Sequence, residues 1–110
     1  LAESGSDSFL VAIEENRVVG YVSALVHGKD AHVASIAVLK DYRRRGIGSA
    51  LMSELIKSLK LRRIRIVSLE VRKSNISAIR FYEILGFERI GLIQSYYENG
   101  EDAVVFSMTL

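Results

Sequence analysis

Between Arg45 and Ile47 the apolar residues of this chain change their spacing, and that change limits the fold more than any other feature. Before it, "FLVAIEENRVVGYVSALV" reads as two strands, Phe9 to Glu14 and Val18 to Val26, joined by a turn at Glu15, Asn16 and Arg17. "HGKD" interrupts the pattern and "AHVASIAVL" resumes it as a third strand, completing an antiparallel meander. After it, Ile47, Leu51, Leu55 and Leu59 recur every four residues, with Glu54, Lys57 and Lys60 off the stripe, so the segment is an amphipathic helix. "IRIVSLEV" returns to strand chemistry, and apolar residues on both of its faces predict a central position. "SNISAIRFYEILGF" is a second helix: Ser74 or Asn75 caps the start and Gly86 takes the left-handed stop, with Phe87 packing back. Strands at Glu88 to Ile93 and Asp102 to Leu110 enclose the loop "QSYYENGE". The order βββ-α-β-α-ββ predicts a mixed sheet in an α+β or α/β layered domain.

The junction itself, "YRRRGIGSALM", places three arginines before two glycines and a helix N-terminus. Bare backbone and free helix N–H groups suit an anion, and the arginines add charge at the same point. The loop is neither of two familiar phosphate loops. No lysine follows the second glycine as a nucleotide P-loop needs, and Leu51 stands where the dinucleotide motif has its third glycine.

Composition narrows the chemistry. The 110 residues carry 15 basic and 13 acidic side chains, a net +2 too mild to demand a polyanionic partner. Without cysteine there is no disulfide, thiolate nucleophile or cysteine metal site, and His27 and His32 alone make no metal constellation. No apolar run has the length of a membrane span, and "LAESGSDSF" lacks the form of a signal peptide, so the expected location is cytoplasmic.

"SIAVLKDYRRRGIGSALM" resembles the acetyl-CoA-binding signature of the GNAT N-acetyltransferases, R/Q-x-x-G-x-G/A after a strand. "SLEVRKSNISAIRFYEILGF" and "YYENGEDAVVF" narrow the resemblance to the RimI-like branch, which acetylates protein N-terminal amines. It runs from about Phe9 to Leu110 and implies a mixed, mostly antiparallel sheet flanked by helices, in one domain over residues 1–110. Members of the family usually begin with a further strand and two helices, so the resemblance also implies a chain short at its N-terminus.

The resemblance implies a role for each matching residue. Arg44, Arg45, Gly46, Ile47, Gly48 and Ser49 hold the coenzyme A pyrophosphate, with Arg43 at the edge. The backbone of Ile36, Ala37 and Val38 pairs with pantetheine as an added strand would, the Val38 N–H lying near the thioester oxygen. Glu70 is the base that takes a proton from the amine, whose pKa is about 8 in the free α-ammonium form. A cross-strand ion pair with Arg72 is the plain structural alternative. Tyr82 faces the coenzyme sulfur as an acid, against a plain place in the core, and Asn75 contacts the coenzyme, against a plain N-cap. His32 assists deprotonation or is merely structural. Tyr96 and Tyr97 line the peptide groove.

The expected activity is therefore transfer of acetyl from acetyl-CoA to a protein N-terminus by direct attack, as in ribosomal-protein-alanine acetylation, with no metal. The expected partners are a protein or peptide N-terminus, a ribosomal protein among the candidates, and a second copy of the chain in a homodimer, with no membrane. Small-molecule amine acetylation and an inactive coenzyme-binding module are the alternatives. Nucleic acid binding through the arginine clusters is the weakest of them.

Overall fold

The computed structural model describes residues 7–110; the first six, where the signal-peptide question arose, lie outside the described residues. Three strands open the fold: β1 (Ser8–Glu14), β2 (Arg17–His27) and β3 (Asp30–Val38). A 3-10 turn at Lys40–Tyr42 leads into α1 (Ile47–Leu61), followed by β4 (Ile66–Arg72), α2 (Ile76–Leu85), β5 (Glu88–Ile93) and β6 (Ala103–Thr109). The six strands form one sheet in the order β1-β2-β3-β4-β6-β5. Only β3 and β4 run parallel; every other neighbouring pair is antiparallel. The element order and the mixed sheet follow the sequence pattern.

Local chemistry explains the elements. The β1–β2 hairpin turns on Glu15 and Asn16, both left-handed (φ 52° and 62°), the geometry of a tight two-residue turn. Glutamate is an unusual choice there, and its carboxylate accepts a 2.8 Å hydrogen bond from the Tyr42 hydroxyl, which fastens the turn to the start of the arginine loop. Asn75, not Ser74, caps α2, its side chain accepting from the Ala78 N–H at 3.2 Å. At the other end Gly86 is left-handed (φ 105°), and the Phe87 N–H donates back to the Tyr82 carbonyl at 3.0 Å. That is a Schellman-type stop, with Phe87 buried against the helix it ends.

One apolar cluster joins α1 (Leu51, Met52, Leu55, Leu59), α2 (Ile79, Tyr82) and the inward face of the sheet, including Val22, Leu69, Val104 and Phe106. β4 is central as expected, but the reason differs from the one its sequence suggests. Val67, Leu69 and Val71 are buried, whereas Ile66 is exposed and Ser68 and Glu70 are only partly covered. The second face of β4, with Ile66, Ser68 and Glu70, is therefore only partly covered.

β3 and β4 pair at only three positions, Asp30–Ile66, Ala31–Val67 and His32–Ser68. Beyond them the strands part. β3 continues along β2 to Val38, and β4 continues along β6 to Arg72. The sheet therefore splits at its middle, and the split begins beside His32.

Candidate active site

Where the strands part, His32 from β3 and Glu70 from β4 meet: Nε2 lies 2.6 Å from Glu70 Oε1. An ionised carboxylate only accepts, so with Glu70 ionised the proton between them is carried by the imidazole Nε2. The Glu70 side chain is 17% exposed and that of His32 39%, so the pair is sheltered yet reachable from solvent. The Tyr96 hydroxyl reaches the same Oε1 at 3.4 Å, a long contact beside the histidine bond. Glu70 Oε2 has no partner among the described residues. The Glu70 carboxylate, first among the causes, raises the Tyr96 pKa.

Arg72 does not pair with Glu70. Its guanidinium donates to Glu101 Oε1 at 3.2 Å and stacks 4.0 Å from the centre of the Tyr97 ring. Tyr97 in turn meets Tyr96 edge-on at 5.0 Å. The structure thus brings together Glu70, His32, Tyr96 and Tyr97, four residues from three separate sequence segments.

Tyr82 stands apart, on the helix side of the sheet. Its ring lies 5.1 Å from Phe81, 5.7 Å from Phe87 and 6.2 Å from Phe106, and its hydroxyl has no hydrogen bond among the described residues. Burial, then the nearby Tyr97, pushes its pKa up to about 12. It is both core and chemically distinctive, so the two readings of this residue are not exclusive.

The edge of β3 facing the split is open. The Leu39 N–H donates to Val19 of β2 at 2.8 Å. Because backbone groups alternate sides along a strand, Val38 and Ile36 turn their N–H and C=O groups away from β2, and Ala37 turns toward it. The three arginines of the loop have different surroundings. Arg43 Nε donates to the Val38 carbonyl at 2.9 Å. Arg45 lies 4.9 Å from the centre of the Tyr42 ring and 3.9 Å from Glu14. Arg44 is left-handed (φ 63°) and exposed.

The loop fits a diphosphate on structural grounds. Gly46, left-handed at φ 80°, is the N-cap of α1, and no side chain caps that helix. The first turn carries no acid, and nothing lies within 4 Å of where a Gly46 Cβ would project. The N–H groups of Ile47, Gly48 and Ser49, in the first turn of a helix with no side-chain cap, have no partner within the helix. Among the described residues no group of His, Cys, Asp and Glu could hold a metal, and no helix is long and apolar enough to cross a membrane.

Sequence reasoning missed the Tyr42–Glu15 fastening and the contacts of Arg72 with Glu101 and Tyr97. Neither leaves a local signal, since the partners lie 27 and 29 residues apart for the two hydrogen bonds.

The mixed sheet thus carries an uncapped glycine loop at the N-terminus of α1 and a carboxylate–imidazole pair where β3 and β4 part. The acetyltransferase (GNAT) family pattern matches residues 1–87, and the chain belongs to that family. It is 38% identical to the N-alpha-acetyltransferase of Saccharolobus solfataricus over 116 aligned residues, covering 94% of this chain and 70% of that protein. The crystal structure of the ribosomal-protein-S18-alanine N-acetyltransferase of Escherichia coli superposes with a TM-score of 0.88 at 33% identity, covering 94% of this chain and 69% of that one. Ard1 of Thermoplasma volcanium gives 0.90 at 32% identity, covering 94% and 70%.

Proposed function

We propose that this chain transfers the acetyl group of acetyl-CoA to the α-amine of a protein N-terminus. The observation that carries the reading is the pairing of Glu70 with His32 at the split in the sheet, between the anion loop and the Tyr96–Tyr97 loop. The relatives named as N-alpha- and ribosomal-protein-alanine acetyltransferases support the choice of acceptor.

Acetyl-CoA supplies the thioester. The N–H groups of Ile47, Gly48 and Ser49, with Arg44, hold its diphosphate, and Asn75 at the start of α2 contacts the coenzyme. Ile36 and Val38 offer backbone groups to its amides, and a Val38 N–H donor would stabilise the oxyanion as the amine nitrogen attacks the carbonyl carbon and the C–S bond breaks. Glu70 Oε2 takes the amine proton, directly or through one water, while His32 holds Oε1 and shares the charge. Tyr82, protonated at neutral pH, offers its O–H to the departing sulfur. Tyr96 and Tyr97 wall the acceptor side, with a ribosomal protein as one candidate acceptor. The reaction belongs in an aqueous compartment, with the cytoplasm as the proposed location.

The test is acetylation of synthetic peptides by the purified chain, read by mass spectrometry. The reading expects acetyl on peptides with free N-termini, none on N-terminally blocked peptides that carry lysine, and none on free polyamines. Acetylated polyamines with unmodified peptides would replace it with small-molecule acetylation.

A further inference from the structure

Glu101 falls within the "YYENGEDAVVF" stretch but has been given no role so far, yet its carboxylate spans two parts of the site. Oε1 accepts from Arg72 Nη1 at 3.2 Å, and Oε2 accepts from the Ser74 N–H at 2.8 Å. Ser74 directly precedes Asn75, the cap of α2 on the coenzyme side. Arg72 also donates to Asn99 Oδ1 at 3.2 Å and covers the Tyr97 ring. The loop closes on itself through the Tyr97 N–H to the Glu101 carbonyl (3.1 Å) and the Gly100 N–H to the Tyr97 carbonyl (2.8 Å). Asn99 Oδ1 also accepts from the Glu101 N–H at 3.0 Å. The same loop carries Tyr96, whose hydroxyl reaches Glu70.

Half-exposed ion pairs add little to global stability, because water screens them and ordering long side chains costs entropy. Arg72 is 45% exposed and Glu101 21%, so stability alone gives a weak reason for the four side chains of Arg72, Tyr97, Asn99 and Glu101 to converge there. Position gives a better one. The loop has no regular secondary structure from Gln94 to Asp102, and while Arg72 and Tyr96 also tie it to β4, Glu101 links it through the Ser74 N–H to the segment that leads into α2.

Resting on the acetyltransferase reading, we propose that Glu101, with Arg72, is a positioning residue: it fixes the acceptor-side loop and couples it to the coenzyme side of α2 through Ser74. Two consequences follow. Loss of the carboxylate loosens Tyr96 and Tyr97, so the acceptor binds less well while coenzyme binding persists. Coenzyme binding steadies the loop only when the link is intact, since coupling between sites needs an element that both of them bias.

The experiment compares wild type with Glu101→Gln, which keeps the size but loses the charge, and with Arg72→Lys, which keeps the charge but loses the forked donors. Amide hydrogen exchange is followed at Tyr97, Gly100 and Glu101 with and without acetyl-CoA, and acceptor KM and kcat are measured alongside acetyl-CoA affinity. Either variant should exchange these amides about tenfold faster and lose the protection that acetyl-CoA confers on them in wild type. Acceptor KM should rise about tenfold while kcat and acetyl-CoA affinity change by less than about threefold. Exchange equal to wild type, or an unchanged acceptor KM, overturns the proposal. If wild type acetylates no peptide, the N-terminal amine reading fails on its own, and the exchange comparison still decides the link. If one variant does not fold, the other carries the same two outcomes.

Discussion

Glu70 has one carboxylate oxygen engaged by His32 and Tyr96 and the other without a partner among the described residues, an arrangement suited to the proposed base. Glu70→Gln should lower turnover about a hundredfold, on the usual scale for a general base, and leave acetyl-CoA affinity unchanged. If His32 works through Glu70, the double variant with His32→Gln should cost clearly less than the sum of the two single changes, as coupled neighbours do. Full additivity would instead give His32 an independent role. Tyr82 is constrained by its pKa of about 12. Proton transfer from such a phenol to a thiolate of ordinary pKa about 8.5 is uphill by roughly 3.5 units, about 5 kcal/mol, so its part is a hydrogen bond to the developing thiolate rather than a completed transfer. Tyr82→Phe should then slow turnover about tenfold without weakening coenzyme binding. The sign of its effect on stability follows from the same value. The folded pKa is raised above the ordinary 10, so the contribution is complete below pH 10 and is lost as pH rises toward about 12. Chemical unfolding measured at stepped alkaline pH should show a larger loss in the parent than in Tyr82→Phe, which keeps the other tyrosines whose pKa values are raised.

On the proposed reading, the elements that carry the site would meet the coenzyme through backbone at least as much as through side chains. At Gly46 the φ of 80° penalises any other residue, yet no atom lies within 4 Å of a projecting Cβ. Gly46→Ala should therefore fold with a modest loss, on the order of 1–2 kcal/mol for left-handed backbone, while its methyl group intrudes where a diphosphate would lie. Acetyl-CoA affinity falling at least about tenfold in a folded variant is the expected calorimetric result; retained affinity would move the diphosphate elsewhere. The Tyr96–Tyr97 loop responds to acid. Hydrogen bonds from Ser74, then Arg72, hold the Glu101 pKa below its ordinary 4.5. That support is present above pH 4.5 and disappears as pH falls through the lower folded value, so loop amide exchange, corrected for its intrinsic pH dependence, should rise there. Such elements were legible in the sequence where their cause is local. The helix stripe from Ile47 to Leu59, the stop at Gly86 and the alternation of β4 each depend on neighbours a few residues away. The Arg72–Glu101 link, the Glu15–Tyr42 fastening and the capping choice between Ser74 and Asn75 were not. They depend on where distant segments come to rest, and spacing alone says nothing of that. Glu70 and His32 were both singled out, but their 2.6 Å meeting follows from a strand pairing that only the folded sheet reveals.

The whole molecule is two sheet halves held together at their middle by three parallel residue pairs and by the helices laid across one face. β1, β2 and β3 form one half, and β4, β6 and β5 the other. The strand edge along Val33–Val38, apart from the Val38 carbonyl that Arg43 engages, is a place where a ligand can add hydrogen bonds that the fold itself lacks. A coenzyme seated there would touch β3, the N-terminus of α1 and the start of α2 at once, and so join elements from both halves. Anything that binds only the folded state stabilises it by mass action, about 2.7 kcal/mol when the ligand is at a hundred times its Kd. For a chain of this size, that shift corresponds to a rise in Tm on the order of 10 °C. Acetyl-CoA should produce it, and ATP at the same concentration should not, because ATP has no pantetheine arm to lie along β3. Equal shifts from both ligands would mean that the loop binds phosphate alone and that the split in the sheet takes no part. A shift with acetyl-CoA that vanishes in Gly46→Ala would tie the stabilisation of the whole fold to the loop at which the chain changes its hydrophobic period.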